Sequence, residues 1–63
     1  MTAQRLHELS HLEGKSINIS LIDGSRIDDC QLVLVSPFKM WVHVNGHDAF
    51  VSLKRVTDVW EAA

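Results

Sequence analysis

The clearest structural signal in this 63-residue chain is the sequence SINISLIDGSRIDDCQLVLV, residues 16–35. Over residues 16–22, isoleucines and a leucine alternate with serines and an asparagine, which is the period of two of a half-buried strand. Asp23-Gly24 then supplies a hairpin turn, because both residue types tolerate positive φ. The second strand, residues 25–35, is long for a small domain. We therefore expect it to bend sharply enough to serve both sides of a barrel.

Three further strands follow this hairpin. Ser36-Pro37 ends the second strand, since proline has no N–H for a ladder hydrogen bond. Asn45-Gly46 is a second strong hairpin signal, and residues 53–55 form a short break. The remaining strands are predicted over residues 39–44, 47–52 and 56–60. The fold class is therefore mainly β: a five-stranded antiparallel barrel of the SH3 type, preceded by a short N-terminal α-helix.

The N-terminal segment predicts an amphipathic helix over about residues 2–13. Its apolar residues recur at intervals of three, which suits one face of a helix. These residues are Ala3, Leu6, Leu9 and Leu12. Thr2 is the expected N-cap and Gly14 the expected stop. Because a helix of about 11 residues is unstable alone, we expect it to lay its leucines on the barrel as a lid over one open end.

The size of the chain indicates a single domain over residues 1–63, with the barrel over about residues 15–60. A chain this short buries only about 60% of its unfolded surface, so its core alone is marginal. The single cysteine, Cys30, excludes an intramolecular disulfide and is expected to be a small buried hydrophobe. Oligomerisation is the remaining means of stabilisation, and we expect a homo-oligomer.

Charge and hydropathy limit the partners. Six Lys and Arg against eight Asp and Glu give a net charge of -2, so the chain has no general attraction for phosphate and any nucleic-acid site must be local. No stretch reaches the roughly 20 apolar residues of a membrane span, and the N-terminus lacks the pattern of a signal peptide. The expected location is cytoplasmic, without a membrane partner.

The sequence His7-Glu8-Leu9-Ser10-His11 matches the HExxH pattern of zinc proteases. A protease also needs a third ligand and a substrate cleft, which a three-turn terminal helix does not supply. On a helix, both histidines fall on the side away from Leu6 and Leu9 and should face solvent. We expect no enzyme, no catalytic residues, no cofactor and no dedicated metal site, with adventitious zinc or nickel binding as the alternative at this pair.

Two segments resemble the Sm-like family. Residues 14–24, GKSINISLIDG, look like the start of the first Sm motif, a Gly-led strand that ends in an Asp-Gly or Asn-Gly turn. Residues 51–59, VSLKRVTDV, lie where the short second motif would stand, with basic residues in the loop between the last two strands. Family members usually carry a glycine where the second strand bends, whereas this chain has Asp28-Asp29-Cys30.

The resemblance implies a ring of protomers in which the fourth strand of one pairs with the fifth strand of the next. It also implies that single-stranded RNA threads near the pore, with bases held by the loops over residues 36–41 and 53–55. Aromatic rings there could stack a base for about 1–3 kcal/mol, and cations could meet phosphates. The expected RNA-binding residues are Phe38, Lys39, Trp41, Lys54 and Arg55. The expected subunit contacts are Val33, Val35, Val51 and Val59, with core packing as the alternative for the first three.

A second hypothesis stays open beside this one. The same barrel can serve as a non-enzymatic protein-interaction or structural module with no nucleic-acid role, because small barrels host both functions. Trp41 and Phe38 would then pack against a neighbouring strand or subunit, and Lys54 and Arg55 would be solvated loop charges.

Overall fold

The computed structural model describes residues 3–62, so the expected N-cap at Thr2 lies outside the described residues, as does the side chain of Ala3. Its elements are α1 (Ala3–Ser10), β1 (Ser16–Leu21), β2 (Arg26–Val35), β3 (Lys39–Val44), β4 (His47–Ser52), a 3₁₀ turn (Leu53–Arg55) and β5 (Val56–Glu61). All strand pairs are antiparallel, and they form one sheet in the order β4-β3-β2-β1-β5. The predicted fold class, five antiparallel strands behind a short helix, is confirmed.

The first bend of β2 lies at Asp28-Asp29. Opposite Asn18, β2 carries one residue more than β1, which makes a β-bulge. Asp29 has a φ of 54°, in the left-handed region, and its N–H donates a 2.8 Å hydrogen bond to Asn18 Oδ1. Bulges bend a strand and increase its twist. Asp29 thus adopts, at the bend, a conformation that glycine would adopt without steric cost.

Asp29 gives the first testable prediction. A β-branched residue in the left-handed region costs about 1–2 kcal/mol, so Asp29→Val should lower the free energy of unfolding by about that amount. Asp29→Gly relieves the strain but adds unfolded-state entropy, and these terms of about 1 kcal/mol each should nearly cancel. Urea unfolding measures both. Equal stability of the Val and Gly variants would mean that residue 29 is not left-handed in solution.

The second bend of β2 lies at Val33. Leu32 pairs with Val42 but Leu34 pairs with Trp41, so β2 again carries one extra residue, here against β3. Side chains of a regular strand alternate between the inner and outer faces, so Leu34 would share the inner face of Leu32. The extra residue shifts this alternation by one and places Leu34 on the outer face, opposite Trp41. The predicted length of the second strand is confirmed, and its two bulges supply the physical cause for the bending that the sequence predicts.

The interior of the barrel is entirely apolar. Its buried side chains are Leu9, Ile17, Ile19, Leu21, Cys30, Leu32, Met40, Val42, Val51, Leu53 and Val59. Leu9 extends from α1, which packs on β2, into this core, and Leu12 packs against its margin. The helix is therefore held by its leucines, as predicted. Within residues 3–62, no helix has the length and hydropathy needed to cross a membrane.

The structure corrects several predicted boundaries. The helix ends at Ser10 and not at Glu13, because the following N–H groups bond the carbonyls three residues back and Gly14, at φ 86°, donates to Leu32 O over 2.7 Å. Ile22 is exposed and belongs to the first turn. The strand β2 begins one residue later than predicted, and β5 extends one residue further.

The four valines predicted as subunit contacts separate into two pairs. Val51 and Val59 are only 6% and 8% exposed, and their side chains belong to the barrel core. Both side chains thus contribute to the core of their own protomer, while subunit contact at these positions stays a prediction. Val33 is exposed, and Val35 is half-buried and packs against the core.

Candidate functional site

The two loops expected to form the site lie against each other. The N–H of Leu53 donates a 3.0 Å hydrogen bond to the carbonyl of Phe38 and joins the 3₁₀ turn to the loop before β3. A cleft of about 550 Å³ opens between them, and we call it the loop cleft. It is lined by Pro37, Phe38, Ser52, Leu53 and Lys54. Two of the five predicted RNA-binding residues, Phe38 and Lys54, thus share one cleft.

Ser36 holds the loop before β3, which forms one wall of this cleft. Its hydroxyl accepts hydrogen bonds from the N–H groups of Phe38 and Lys39 at 3.4 and 3.2 Å, and its own N–H donates to Lys39 O at 2.9 Å. Serine closes tight turns of this kind, and Pro37 restricts φ within it. The backbone of Phe38 is thus held in place, while 80% of the residue is exposed.

Leu53 fixes the opposite wall. Its side chain is buried in the core while the adjacent Lys54 is exposed, so the 3₁₀ turn is anchored at one residue and presents a cation at the next. An uncovered aromatic ring beside an ammonium group can stack on a planar apolar group and pair with an anion at the same time. The loop cleft thus combines two predicted site residues, an exposed aromatic ring and a cation, along one cavity.

Lys39 and Trp41 lie on a different surface, the outer face of β3. Lys39 Nζ is 4.9 Å from the centroid of the Phe50 ring, and the Trp41 and Phe50 rings lie 5.9 Å apart. Leu34 continues the same surface on β2, and the cross-strand set Leu34, Trp41 and Phe50 is called here the outer apolar row. Residues two apart on a strand share a face, so Lys39 and Trp41 are separated from Phe38 by the strand geometry.

The outer apolar row contains two residues that the sequence analysis missed. Phe50 could have been found, because the two-residue turn Asn45-Gly46 pairs it with Trp41. Leu34 could not, because the Val33 bulge changes its face. Leu34 and Phe50 are 52% and 61% exposed.

Arg55 is directed to the first turn. One guanidinium nitrogen lies 3.8 Å from Asp23 Oδ2, and the Arg55 carbonyl accepts a 2.8 Å hydrogen bond from Ile22. The hydroxyl and N–H of Ser25 lower the pKa of Asp23, and the charge of Arg55 adds to this effect. The fifth predicted residue is thus paired with a carboxylate outside the loop cleft.

Two other ionisable features lie outside the loop cleft: the buried thiol of Cys30 and a pair formed by His43 and Asp48. Burial raises the pKa of the Cys30 thiol, which keeps it protonated and poorly nucleophilic. His43 Nδ1 lies 3.0 Å from Asp48 Oδ1, and this hydrogen bond lowers the pKa of Asp48. The Trp41 indole N–H adds to the lowering by its proximity, although it forms no hydrogen bond of ordinary geometry.

Metal-ligating side chains are sparse in the same part of the chain. His7 and His11 are both exposed, as predicted. No group of three or more His, Cys, Asp or Glu side chains is placed to hold a metal ion in the described residues.

Comparison of the whole chain with known proteins gives no match to a protein-family model and none to a curated protein.

Proposed function

We propose that this chain is an Sm-like module that assembles head to tail into a ring and binds single-stranded RNA at the loop cleft. The observation that carries the proposal is the position of β4 and β5. These strands are consecutive in the sequence, yet they form opposite edges of the sheet, and each is six residues long. An unpaired edge is a template for a strand of another chain. Two different edges on one subunit favour a heterologous contact, which closes into a ring when the rotation permits.

The edge of β4 has free backbone groups. The two-residue turn makes Val44 and His47 a hydrogen-bonded pair. Bonded and non-bonded pairs alternate from there, so every second residue of β4, namely Ala49 and Val51, bonds β3 through its backbone. The residues between them direct their N–H and C=O groups outwards; they are Asp48, Phe50 and Ser52. A neighbouring strand would find three evenly spaced residues with which to pair.

The edge of β5 is partly occupied. Ala62 N–H donates to Ser16 O over 2.9 Å. Hydrogen-bonded and non-hydrogen-bonded pairs alternate along β1 and β5 from this point, and Val59 therefore directs its N–H away from β1. This N–H donates instead to the carboxylate of Asp58 at 2.9 Å, and a guanidinium nitrogen of Arg5 lies 3.8 Å from the same carboxylate. Assembly through this edge therefore requires the Asp58 side chain to rotate away from Val59.

The loop cleft supports the RNA part of the proposal. Phe38 supplies an exposed ring, and stacking of a base on such a ring contributes about 1–3 kcal/mol. One Lys54 is a weak attraction for a chain with a net charge of -2, but a ring repeats it once per subunit around the pore. The repeated cleft would thus create the local positive field that the composition does not provide.

The outer apolar row favours a second candidate function, a protein-interaction module. It borders the free edge of β4, and an extended peptide could pair with this edge while placing an apolar side chain beside Phe50. Strand addition of this kind derives affinity from backbone hydrogen bonds and specificity from such side-chain contacts.

A charge-matched pair of variants tests RNA binding. Lys54→Ala should weaken binding of a short uridine- or adenine-rich RNA and reduce the slope of log K against log salt by about 0.7 for each phosphate that the lysine no longer neutralises. Lys39→Ala removes the same charge outside the cleft and should have little effect. Phe38→Ala should weaken binding by about 5- to 150-fold if the ring stacks a base. Fluorescence anisotropy at several salt concentrations measures all three.

The solution mass, from light scattering after chromatography with and without RNA, tests assembly in the same samples. The proposal predicts an assembly larger than a dimer. A monomer indifferent to RNA would contradict it, and equal effects of the two lysine variants would exclude the loop cleft as the site. Binding of a peptide that Phe50→Ala abolishes, without any RNA binding, would favour the protein-interaction module.

A further inference from the structure

The two histidines of α1 and its following turn are arranged more closely than solvated surface residues require. A 3.1 Å hydrogen bond joins His7 Nε2 and His11 Nε2, and the two rings meet edge to face with centroids 4.6 Å apart. We propose that this pair is a two-imidazole chelate for a divalent transition-metal ion. The site is separate from the loop cleft and does not depend on the RNA proposal.

The separation of the nitrogens fits one shared ion. Imidazole nitrogens bind Zn²⁺ at about 2.0–2.1 Å, and two such bonds with their nitrogens 3.1 Å apart enclose an angle of about 98°. This angle lies between the 90° of square-planar or octahedral coordination and the tetrahedral angle. The ligand nitrogens already have the spacing that a bound ion requires. Because a metal binds the unprotonated nitrogen, the imidazole that donates its Nε2–H in this hydrogen bond must carry its proton on Nδ1 when the ion binds.

The support beneath the pair is rigid. Leu9, between the two histidines in sequence, is 1% exposed and fixes α1 in the core. The turn that carries His11 is held by the 2.9 Å hydrogen bond from Val35 N–H to Glu13 Oε2. A site whose ligands stand on anchored backbone retains its geometry and binds with less entropic cost.

The donor set indicates which ions are preferred. Imidazole suits Cu²⁺, Ni²⁺ and Zn²⁺, and the general order of affinity places Cu²⁺ first. No third metal-binding side chain joins the pair within residues 3–62, so water or a donor from another molecule must complete the coordination. An open site of this kind differs from a closed structural zinc site, in which four protein ligands surround the metal.

The test uses CuCl₂, NiCl₂ and ZnCl₂ added separately to the metal-free full chain, with affinity measured by competition against a chromophoric chelator. We expect one equivalent per chain and an order with Cu²⁺ tightest. A second linked ligand multiplies affinity on the order of 100-fold, so His7→Gln and His11→Gln should each lose about that much. The matched control is His47→Gln, which removes an exposed histidine on the barrel and should leave affinity unchanged.

A second readout locates the ion. Bound Cu²⁺ should broaden the amide NMR signals of α1 and the following turn and spare those of β4. The broadening should vanish in a variant that carries both His7→Gln and His11→Gln. Retained broadening of α1 in this variant, which lacks both histidines, would overturn the proposal, as would an equal loss of affinity in His47→Gln. Circular dichroism of the variants checks that the exposed substitutions leave the fold intact.

Discussion

Replacement of Val51 by aspartate should unfold the chain, whereas the same replacement at the adjacent Phe50 should leave it folded. The two residues are neighbours on β4 but face opposite ways, and their exposed fractions are 6% and 61%. An unpaired carboxylate inside the barrel costs several kcal/mol, and a domain of this size rarely has more than about 3–5 kcal/mol of stability. Val51→Asp alone should therefore remove most or all of the folding free energy.

Far-UV circular dichroism and urea unfolding measure this difference directly. The pair is matched in charge, position and strand, so only the face of the sheet differs. A folded Val51→Asp variant with near-parental stability would mean that β4 pairs with β3 in another register, since a shift of one residue moves every side chain to the other face.

Replacement of Phe50 by proline should convert the proposed assembly into monomers without unfolding them. Proline removes the N–H of residue 50, which the register directs to the free edge, and leaves the β3 ladder unchanged. The interface between subunits would lack one hydrogen bond and meet the proline ring, while the protomer keeps all of its own ladder bonds. Light scattering should then give the mass of one chain at concentrations where the parent is assembled.

Two controls separate the backbone effect from its alternatives. Phe50→Ala keeps the N–H and should remain assembled if the contact is made by the strand edge and not by the ring. Ala49→Pro removes an N–H directed to β3, so it breaks a ladder hydrogen bond inside the protomer and should unfold it. An assembled Phe50→Pro variant would show that subunits do not meet through the edge of β4.

The strands around Asn45-Gly46 were fully predictable. A two-residue Asn-Gly turn leaves one favourable register, and β3 and β4 have the boundaries inferred from the sequence. The bulges were not predictable in position, because an extra residue in a strand such as that at Val33 has no compositional signature. Those bulges decide that Leu34 is exposed while Val35 packs against the core.

In the candidate site, too, some features were predictable from the sequence and others were not. The two loops were expected to form one site only because the chain resembles the Sm-like family, and Phe38 and Lys54 do line one cleft. Loop membership alone did not separate Phe38 from Lys39 and Trp41, which the alternation of β3 places on the outer face. The ion pair of Arg55 with Asp23 joins residues 32 positions apart, and periodicity within one strand carries no information about such a contact.

The unequal residue counts of neighbouring strands have a consequence beyond the protomer. Each bulge on β2 adds twist between the half of the sheet that ends in β4 and the half that ends in β5. In the proposed assembly, where identical subunits join these edges, the accumulated angle would determine whether the row of subunits closes and after how many members. Deletion of the bulged Val33 would therefore alter the rotational symmetry of the proposed assembly, while the backbone groups available at each edge would stay the same.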